Sequence, residues 1–218
     1  MNILVTGASG FLGLALLPRL LDKGHRVYGV SRHPPALGKN LIPLESDILK
    51  PDLGLSKVPK GIQVVQHLAA IHRLGGDKDG SIWRTNVEGT RNVINFCLEH
   101  SIPRLFFTSS AYTQGRNTYE RSKALCEYMV SNAGIPQVTI FKPSIIMGTP
   151  QHFYPGHFSQ FVSLLIKIHH RAEVIRRKIE GTLRLPIIEP VFQFKANPQG
   201  KLNLVPIDAV ASAMAEIT

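Results

Sequence analysis

Cysteine and long apolar runs are scarce in this sequence. Only two cysteines, Cys97 and Cys126, occur in 218 residues, and both lie in segments with helical periodicity. Because no secretion signal is recognisable at the N-terminus, both thiols are expected to be reduced, and a disulfide framework is not supported. The alternative for Cys126 is a reactive thiol. No run of eighteen apolar residues is present, so we predict no membrane span and expect a cytoplasmic protein.

Acidic residues are fewer than basic ones, 15 against 25, and the formal net charge is +10. A positive field of this kind favours acidic ligands or partners. Zinc-finger spacing and aromatic RNA-binding signatures are both missing, so we do not predict nucleic-acid binding. Four histidines lie close together in the last third of the chain without Cys, Asp or Glu companions at ligand spacing, so no metal site is predicted there: His152, His157, His169 and His170.

Short apolar runs alternate with helical patterns from the first residue. The predicted strands are Asn2–Val5, Arg26–Val30, Leu41–Glu45, Gln63–Leu68, Leu105–Thr108 and Val138–Phe141. The predicted helices among them are Phe11–Lys23, Trp83–His100 and Tyr119–Asn132. Such alternation predicts right-handed crossovers and a parallel sheet covered on both faces, an α/β Rossmann-type doubly wound fold.

The pattern changes after Gly148. The predicted elements there are a loop at 149–160, a helix at Phe161–Ile179, a proline-broken stretch at Leu185–Asn197 and a helix at Asp208–Ile217. We therefore expect a dinucleotide-binding domain at 1–148. Residues 149–218 form a small C-terminal substrate-binding portion, partly a lid and partly returning to the first domain. Because the chain stops within the last predicted helix, a further C-terminal segment is expected.

Three glycines follow the first predicted strand. Gly7, Gly10 and Gly13 lie in the segment TGASGFLG at 6–13. The first suits a tight turn, the second lets backbone approach a pyrophosphate, and the third lets helix pack on strand. A chance glycine-rich loop is the alternative, but the position between a strand and a helix favours a dinucleotide site. Its predicted contacts include the neighbouring residues Ser9, Phe11 and Leu12.

Arg32 follows the second predicted strand, where NAD enzymes place an acid on the adenosine ribose. No acid stands there, and the arginine is placed to pair with a 2′-phosphate. The alternative is a solvent-exposed arginine. The missing acid favours NADP(H) as the cofactor.

Further cofactor contacts are predicted at the ends of the next two strands. Asp47 can accept a hydrogen bond from the adenine amino group while Ile48 packs on the ring, although a turn aspartate is an equal alternative. Leu68, Ala69 and Ala70 place small residues and backbone where the cofactor would lie.

A catalytic set is predicted after the fifth strand. Ser110 ends that strand, and Tyr119 and Lys123 are four residues apart on one face of a helix. A phenol is a poor acid or base at neutral pH. We expect the lysine cation to lower the pKa of the phenol and to hold the nicotinamide ribose. The serine hydroxyl would stabilise charge on the substrate oxygen.

With these motifs the sequence resembles the extended short-chain dehydrogenase/reductases, over essentially its whole length. The motifs are TGASGFLG at 6–13, HLAA at 67–70, NVEGT at 86–90, TSSAY at 108–112, YERSK at 119–123, KPSIIMG at 142–148 and VPIDAVA at 205–211. The resemblance implies a Ser-Tyr-Lys triad at Ser110, Tyr119 and Lys123. It also implies nicotinamide contacts from Pro143, Ser144 and Ile145.

Within that superfamily, SSAYTQG and FKPSIIMG resemble the thioester-reductase and fatty-acyl-reductase branch. This resemblance implies an NADPH-dependent oxidoreductase that reduces an acyl thioester or a related carbonyl. The alternatives are a nucleotide-sugar epimerase or dehydratase with tightly bound NAD(P), and a non-catalytic NADP-binding regulatory protein. Two departures concern the substrate side: Tyr119 follows Ser110 after only nine positions, and Lys142 stands where the family commonly has arginine.

A basic cluster in the C-terminal portion points to an acidic partner. Its members are Arg171, Arg176, Arg177, Lys178 and Arg184. They suit the diphosphate of a nucleotide sugar, or equally coenzyme A or an acidic acyl carrier protein that delivers the substrate. The alternative is a solvated helix face. The family resemblance also implies a homodimer, with helices Trp83–His100 and Tyr119–Asn132 as the contact.

Overall fold

Strands and helices alternate along the chain as the sequence predicts. The computed structural model describes residues 1–73, 76–152, 156–186, 199–201 and 203–218, with only the backbone of 156–164. Through the first half the elements are β1 (Asn2–Thr6), α1 (Phe11–Asp22), β2 (Arg26–Ser31), β3 (Leu41–Glu45), β4 (Val64–His67), α2 (Ser81–Trp83) and α3 (Gly89–Glu99). A π-helical turn, Arg84–Glu88, joins α2 to α3, and a short 3-10 turn lies at Pro51–Gly54.

The second half continues the same alternation. Its elements are β5 (Arg104–Thr108), α4 (Thr118–Ser131), β6 (Gln137–Phe141), β7 (Ile145–Met147), α5 (Gly156–Leu183), β8 (Leu204–Pro206) and α6 (Ile207–Ile217). The helix predicted at Phe161–Ile179 begins five residues earlier, so the predicted loop at 149–160 is wrong from residue 156 onward. Glycine and histidine at its start hid the helix from a prediction that relied on apolar periodicity. Most of the proline-broken stretch lies outside the described residues.

Six strands form one parallel sheet in the order β3-β2-β1-β4-β5-β6. The strand order reverses beside β1, which pairs in parallel with both β2 and β4. This is the doubly wound α/β architecture that the sequence predicts, and the fold class is confirmed. In such a sheet, ligands bind outside the carboxyl ends of the strands at the point of reversal. The ends of β1, β4 and β5 therefore define the edge at which a site is expected.

The two faces of the sheet bury separate hydrophobic clusters. Alternate residues of β5 belong to different clusters. Phe106 packs with α1 and α6, whereas Leu105 and Phe107 pack with α3 and α4. The period-two alternation of a strand explains this division, and burial on both faces explains why three successive residues of β5, 105–107, are apolar.

The chain divides into two compact units. The first contains Met1–Ile146 together with Leu204–Thr218, and the second contains Met147–Asn203. The returning segment places α6 beside α1, where Arg19 forms an ion pair with Asp208 at 2.8 Å. In the parts of the chain that the structure describes, no helix is both long and apolar enough to cross a bilayer.

The turn between β1 and α1 depends on a close approach of two backbone segments. Gly7 has φ +70°, and a Cβ at this position would lie 2.8 Å from the amide nitrogen of Ala69, just beyond β4. A Cβ on Gly13 would lie 2.5 Å from the Gly7 carbonyl oxygen. Gly7 is therefore required by conformation and by space, and Gly13 by space alone.

We expect Gly7→Ala to destabilise the protein more than Gly134→Ala. Gly134 has φ +74° with no atom within 4 Å of an added Cβ, so its substitution incurs only the left-handed backbone cost of about 1–2 kcal/mol. Gly7→Ala adds the clash with Ala69, and its loss of unfolding free energy in urea titrations should exceed that of Gly134→Ala by at least about 1 kcal/mol. Equal losses for the two variants would contradict the close approach.

Candidate functional site

The N-terminus of α1 faces the edge of the sheet without a capping side chain. Gly10 is the N-cap residue, and its amide donates to the Gly7 carbonyl at 2.9 Å. The first amides of a helix have no partner within the helix, and they form a natural anion site. The Ser9 hydroxyl donates to the Ser31 hydroxyl at 3.0 Å, which joins this turn to the end of β2. Arg32 follows directly and is exposed.

The pair predicted near the adenine occupies a tight turn after β3. The Asp47 carboxylate accepts from the Leu49 amide at 3.0 Å, which is the turn role that the sequence left open. Ile48 is buried against Gly89, where an added Cβ would lie 2.5 Å from its Cδ1. Ile48 therefore has a packing role in the core of the first unit, whatever it contacts besides.

Thr6, at the end of β1, forms hydrogen bonds with the segment that follows β4. Its hydroxyl oxygen accepts from the amides of Leu68 and Ala69 at 3.2 and 3.3 Å, and it donates to His67 Nδ1 at 2.7 Å. Leu68, Ala69 and Ala70 are partly exposed at this edge. Thr6 thereby joins the glycine turn to the segment that the sequence predicts beside the cofactor.

The hydrogen bonds of His67 define its tautomer. The Thr90 hydroxyl donates to the Asn86 carbonyl at 2.5 Å, so it accepts from His67 Nε2 at 3.0 Å. With Nδ1 accepting from Thr6, the ring is neutral with its proton on Nε2. Complete burial, and secondarily the charge of Lys123, lower the pKa of His67 to about 3. His67 is therefore a neutral structural link under ordinary conditions.

Asn86, in the π-helical turn before α3, forms a hydrogen bond with α4. Its side-chain amide donates to the Ile71 carbonyl and to the Ser122 hydroxyl at 3.2 and 2.9 Å, and its Oδ1 accepts from the Ile71 amide at 2.8 Å. Ser122 then donates to the Tyr119 carbonyl at 2.7 Å. The neighbouring His72 ring meets the Tyr119 ring edge-on, with centroids 4.8 Å apart.

The structure brings Ser110 and Tyr119 together despite the short segment between them. α4 begins with a reciprocal cap, in which Glu120 N donates to Asn117 Oδ1 at 2.9 Å and Glu120 Oε2 accepts from Arg116 N at 3.0 Å. Burial raises the pKa of Tyr119 to about 12, while a hydrogen bond with the Ser110 hydroxyl acts in the opposite direction. The prediction that the pKa of Tyr119 is lowered is wrong for this structure, because desolvation of the phenolate outweighs any stabilisation by Lys123.

Lys123 is a buried cation, with only 4% of its surface exposed. Its Nζ donates to the Thr108 carbonyl at 2.7 Å and lies 4.9 Å from the centroid of the Phe107 ring. Burial lowers the pKa of Lys123 to about 8, although the charges of Cys126 and Glu127 raise it. The end of β5 therefore holds a lysine whose charge titrates close to neutral pH.

Ser109 and Lys142 meet at a carboxylate that the sequence did not single out. Glu127 accepts from Ser109 Oγ at 2.5 Å and from Lys142 Nζ at 2.9 Å. Beyond this point the Ala111 amide donates to the Pro143 carbonyl at 2.9 Å. The predicted nicotinamide contacts Pro143, Ser144 and Ile145 are partly exposed beside the end of β5.

These features fit a nicotinamide dinucleotide. An added Cβ on Gly10 would lie 3.1 Å from the Gly7 carbonyl oxygen, which is a tight contact, so glycine suits the turn at that point. The Thr108 hydroxyl is buried at the carboxyl end of β5 and has no hydrogen-bond partner among the described residues. Buried polar atoms are normally hydrogen-bonded, so at a ligand-binding edge this hydroxyl is suited to bond a ligand.

Five residues that the sequence did not single out hold the segments that carry the predicted contacts. Thr6, His67, Asn86, Ser122 and Glu127 make the hydrogen bonds that fix the glycine turn, α4 and the strand ends. The motifs HLAA and NVEGT contain two of them, but no local pattern shows that His67 meets Thr90. Their roles depend on contacts between residues that are far apart in the chain.

The two cysteines are buried, whereas most of the predicted basic cluster is exposed. Cys97 and Cys126 are free and buried, and burial raises the pKa of Cys126, which disfavours a reactive thiol. In α5, Arg176 forms an ion pair with Glu173 at 2.8 Å, so it is engaged locally. Arg171, Arg177, Lys178 and Arg184 are exposed.

We expect Lys123 to make stability depend on alkaline pH. Between pH 8 and its ordinary pKa of 10.5, the unfolded lysine holds a proton that the folded one has lost. The buried charge therefore destabilises the folded state fully below pH 8, and this destabilisation disappears as the pH rises towards 10.5. Relative to Lys123→Met, the unfolding free energy of the parent should increase by up to about 3 kcal/mol across this interval. A constant difference in denaturant titrations would show that the lysine is not desolvated.

Comparison with known proteins agrees with this architecture. A 2-alkyl-3-oxoalkanoate reductase of Stenotrophomonas maltophilia is 39% identical over 121 residues, which cover 55% of this chain and 36% of that protein. A Bacillus subtilis protein named uncharacterized UDP-glucose epimerase YtcB is 31% identical over 157 residues, covering 64% and 49%. The chain thus spans less than half of the length of either relative.

A solved structure extends the likeness of fold. The thiolation-reductase di-domain of an archaeal non-ribosomal peptide synthetase superposes with a TM-score of 0.60 at 22% identity, covering 69% of this chain and 53% of that one. The sequence profile of the NAD dependent epimerase/dehydratase family matches residues 3–182. The resemblance to the extended short-chain dehydrogenase/reductases is thereby confirmed, and the chain belongs to the NAD dependent epimerase/dehydratase family.

Proposed function

We propose that the protein is an NADPH-dependent oxidoreductase that reduces an acyl thioester or a related carbonyl. The observation that carries the proposal is the pair Tyr119 and Ser110 beside the buried Lys123. Burial raises the pKa of Tyr119 to about 12, so the phenol carries its proton at neutral pH and can give it to a more basic oxygen, such as the oxyanion that develops on a carbonyl. Reduction of a carbonyl requires such an acid, whereas oxidation of an alcohol begins with a base.

The three side chains have distinct tasks in this proposal. Bound NADPH supplies the hydride. Ser110 and Tyr119 hydrogen-bond the carbonyl oxygen, and Tyr119 transfers its phenolic proton to that oxygen as negative charge develops. Lys123 places a positive charge at the end of β5, which stabilises the phenolate that remains. Its hydrogen bond to the Thr108 carbonyl keeps the ammonium group in place.

The choice of substrate is supported by the names of similar proteins and by the exposed cations of α5. The Stenotrophomonas relative is named for reduction of a 3-oxoalkanoate, which is a ketone, and the archaeal neighbour contains a reductase joined to a thiolation domain. A second candidate is a nucleotide-sugar epimerase, which the name of the Bacillus relative favours.

We further propose a homodimer through α3 and α4, where Leu98 and Tyr128 are exposed.

The substrate proposal is tested by offering NADPH with acyl-coenzyme A, an acyl carrier thioester, a 3-oxo acid and UDP-glucose in separate assays. We expect the absorbance of the reduced nicotinamide to fall with a thioester or a 3-oxo acid. Turnover of UDP-glucose to its epimer without net oxidation of NADPH would favour the epimerase and reject the reductase.

Arg32 is expected to select NADPH over NADH. Arg32→Ala should remove a hydrogen bond to the 2′-phosphate and weaken NADPH binding by about 1.5–3 kcal/mol, which is tenfold or more in the dissociation constant. Fluorescence titration should show unchanged NADH binding. Arg26→Ala, an exposed arginine at the other end of β2, is the matched control. Tighter binding of NADH than of NADPH by the parent would reject the preference.

Tyr119 is expected to be the proton donor. Tyr119→Phe keeps the ring and should lower kcat by roughly 10²–10⁴-fold, the range for a positioned acid, with little change in the dissociation constant of NADPH. Tyr128→Phe removes the same hydroxyl from an exposed position on α4 and should leave kcat unchanged. If Tyr119→Phe turned over at the parental rate, another group would have to supply the proton.

The exposed cations of α5 are expected to attract an acidic carrier or the phosphates of coenzyme A. Charge reversal of Arg177 and Lys178 together should raise KM severalfold and reduce its dependence on salt, with kcat retained. The double reversal of Lys57 and Lys60, two exposed lysines that precede β4, applies the same change of net charge as a control. A KM that responds equally to both reversals would indicate net charge alone.

A further inference from the structure

Glu127 lies on the same face of α4 as the two proposed catalytic residues. It follows Lys123 by one helical turn and Tyr119 by two, so the three side chains point towards the same strand ends. One carboxylate oxygen accepts from Ser109 Oγ at 2.5 Å and the other from Lys142 Nζ at 2.9 Å. The Glu127 side chain is 21% exposed, so these bonds are partly shielded from solvent.

The two donors belong to the ends of neighbouring strands. Ser109 is the first residue after β5, and Lys142 is the first residue after β6. The same two segments share backbone hydrogen bonds from Ser109 N to Phe141 O at 2.8 Å and from Ala111 N to Pro143 O at 2.9 Å. Glu127 therefore joins α4, β5 and β6 at the place where the regular sheet ends.

We propose that Glu127 is a positioning residue: it holds the segment carrying Ser110 against the segment carrying Pro143, and it provides a negative charge that stabilises the Lys123 cation. The roles of Ser110 and Lys123 rest on the proposed function. The contacts of Glu127 with Ser109 and Lys142, called the joint below, do not. Charge-assisted hydrogen bonds are stronger and shorter than neutral ones, so a single carboxylate suffices to order two strand ends.

The electrostatic part follows from what surrounds Lys123. The groups that face it are the neutral His67 on β4, the Thr108 carbonyl on β5, and Cys126 and Glu127 on α4. Burial lowers the pKa of Lys123, and the charges of Cys126 and Glu127 oppose that shift. Burial also raises the pKa of the Cys126 thiol, which leaves Glu127 as the anion at neutral pH. Without this carboxylate, Lys123 should lose its proton at a lower pH.

The joint is tested by amide hydrogen exchange on the full chain without cofactor. Glu127→Gln preserves the shape of the side chain but removes its charge. The amides of Ser109 and Ala111 should exchange about tenfold faster or more, because local opening becomes easier once charge-assisted bonds are lost. Glu99→Gln, an exposed residue at the end of α3, is the matched control and should exchange as the parent does.

Substitutions at Lys142 separate the ion pair from simple packing. Lys142→Met should accelerate exchange at the same amides, whereas Lys142→Arg, which keeps the charge, should retain parental exchange. Parental exchange in both Glu127→Gln and Lys142→Met would overturn the joint, even if Tyr119→Phe abolished turnover as proposed. Faster exchange in these variants would support the joint even if no carbonyl substrate were reduced.

The charge effect has its own measurement. In NADPH titrations across alkaline pH, the loss of affinity that accompanies deprotonation of Lys123 should shift to lower pH in Glu127→Gln. The Glu99→Gln control should show the parental profile. Coincident profiles for parent and Glu127→Gln would overturn the electrostatic part of the proposal.

Discussion

A buried row of hydrogen bonds, centred on His67, connects the glycine turn to α4. Thr6, His67 and Thr90 are each almost completely buried, so every polar atom among them needs a partner within the protein. The row continues through Asn86 and Ser122 to the backbone of Tyr119. Because a half-satisfied buried network is costly, β1, β4, α3 and α4 are bound to one relative arrangement.

The protonation states at the strand ends follow from burial. Desolvation disfavours a charge, so it keeps Tyr119 protonated and makes the Lys123 proton easier to lose. A protonated phenol next to a lysine that is still charged at neutral pH is suited to giving a proton to a developing oxyanion. The same burial makes Lys123 costly to the folded state, as is common where function places a charge away from water.

The segment between Ser110 and α4 shows how a short connection can still form the site. Asn117 and Glu120 cap the helix reciprocally, and Glu120 also accepts from the Arg116 amide. These contacts begin α4 at once after a brief loop, so that Tyr119 lies in the first turn and reaches the Ser110 hydroxyl. The short segment therefore does not separate the proposed catalytic groups.

The sequence by itself determined the elements and the residues that depend on local spacing. The apolar runs predicted all six strands of the main sheet, the glycines at 7, 10 and 13 predicted the turn, and the four-residue spacing placed Tyr119 and Lys123 on one helix face. The start of α5 was missed because its first turn has no apolar period. Only the tertiary structure decided that His67 bonds Thr6 and Thr90, that Glu127 joins two strand ends, and that burial raises the pKa of Tyr119. Those properties depend on desolvation and on partners up to 61 residues apart, which no local pattern in the sequence records.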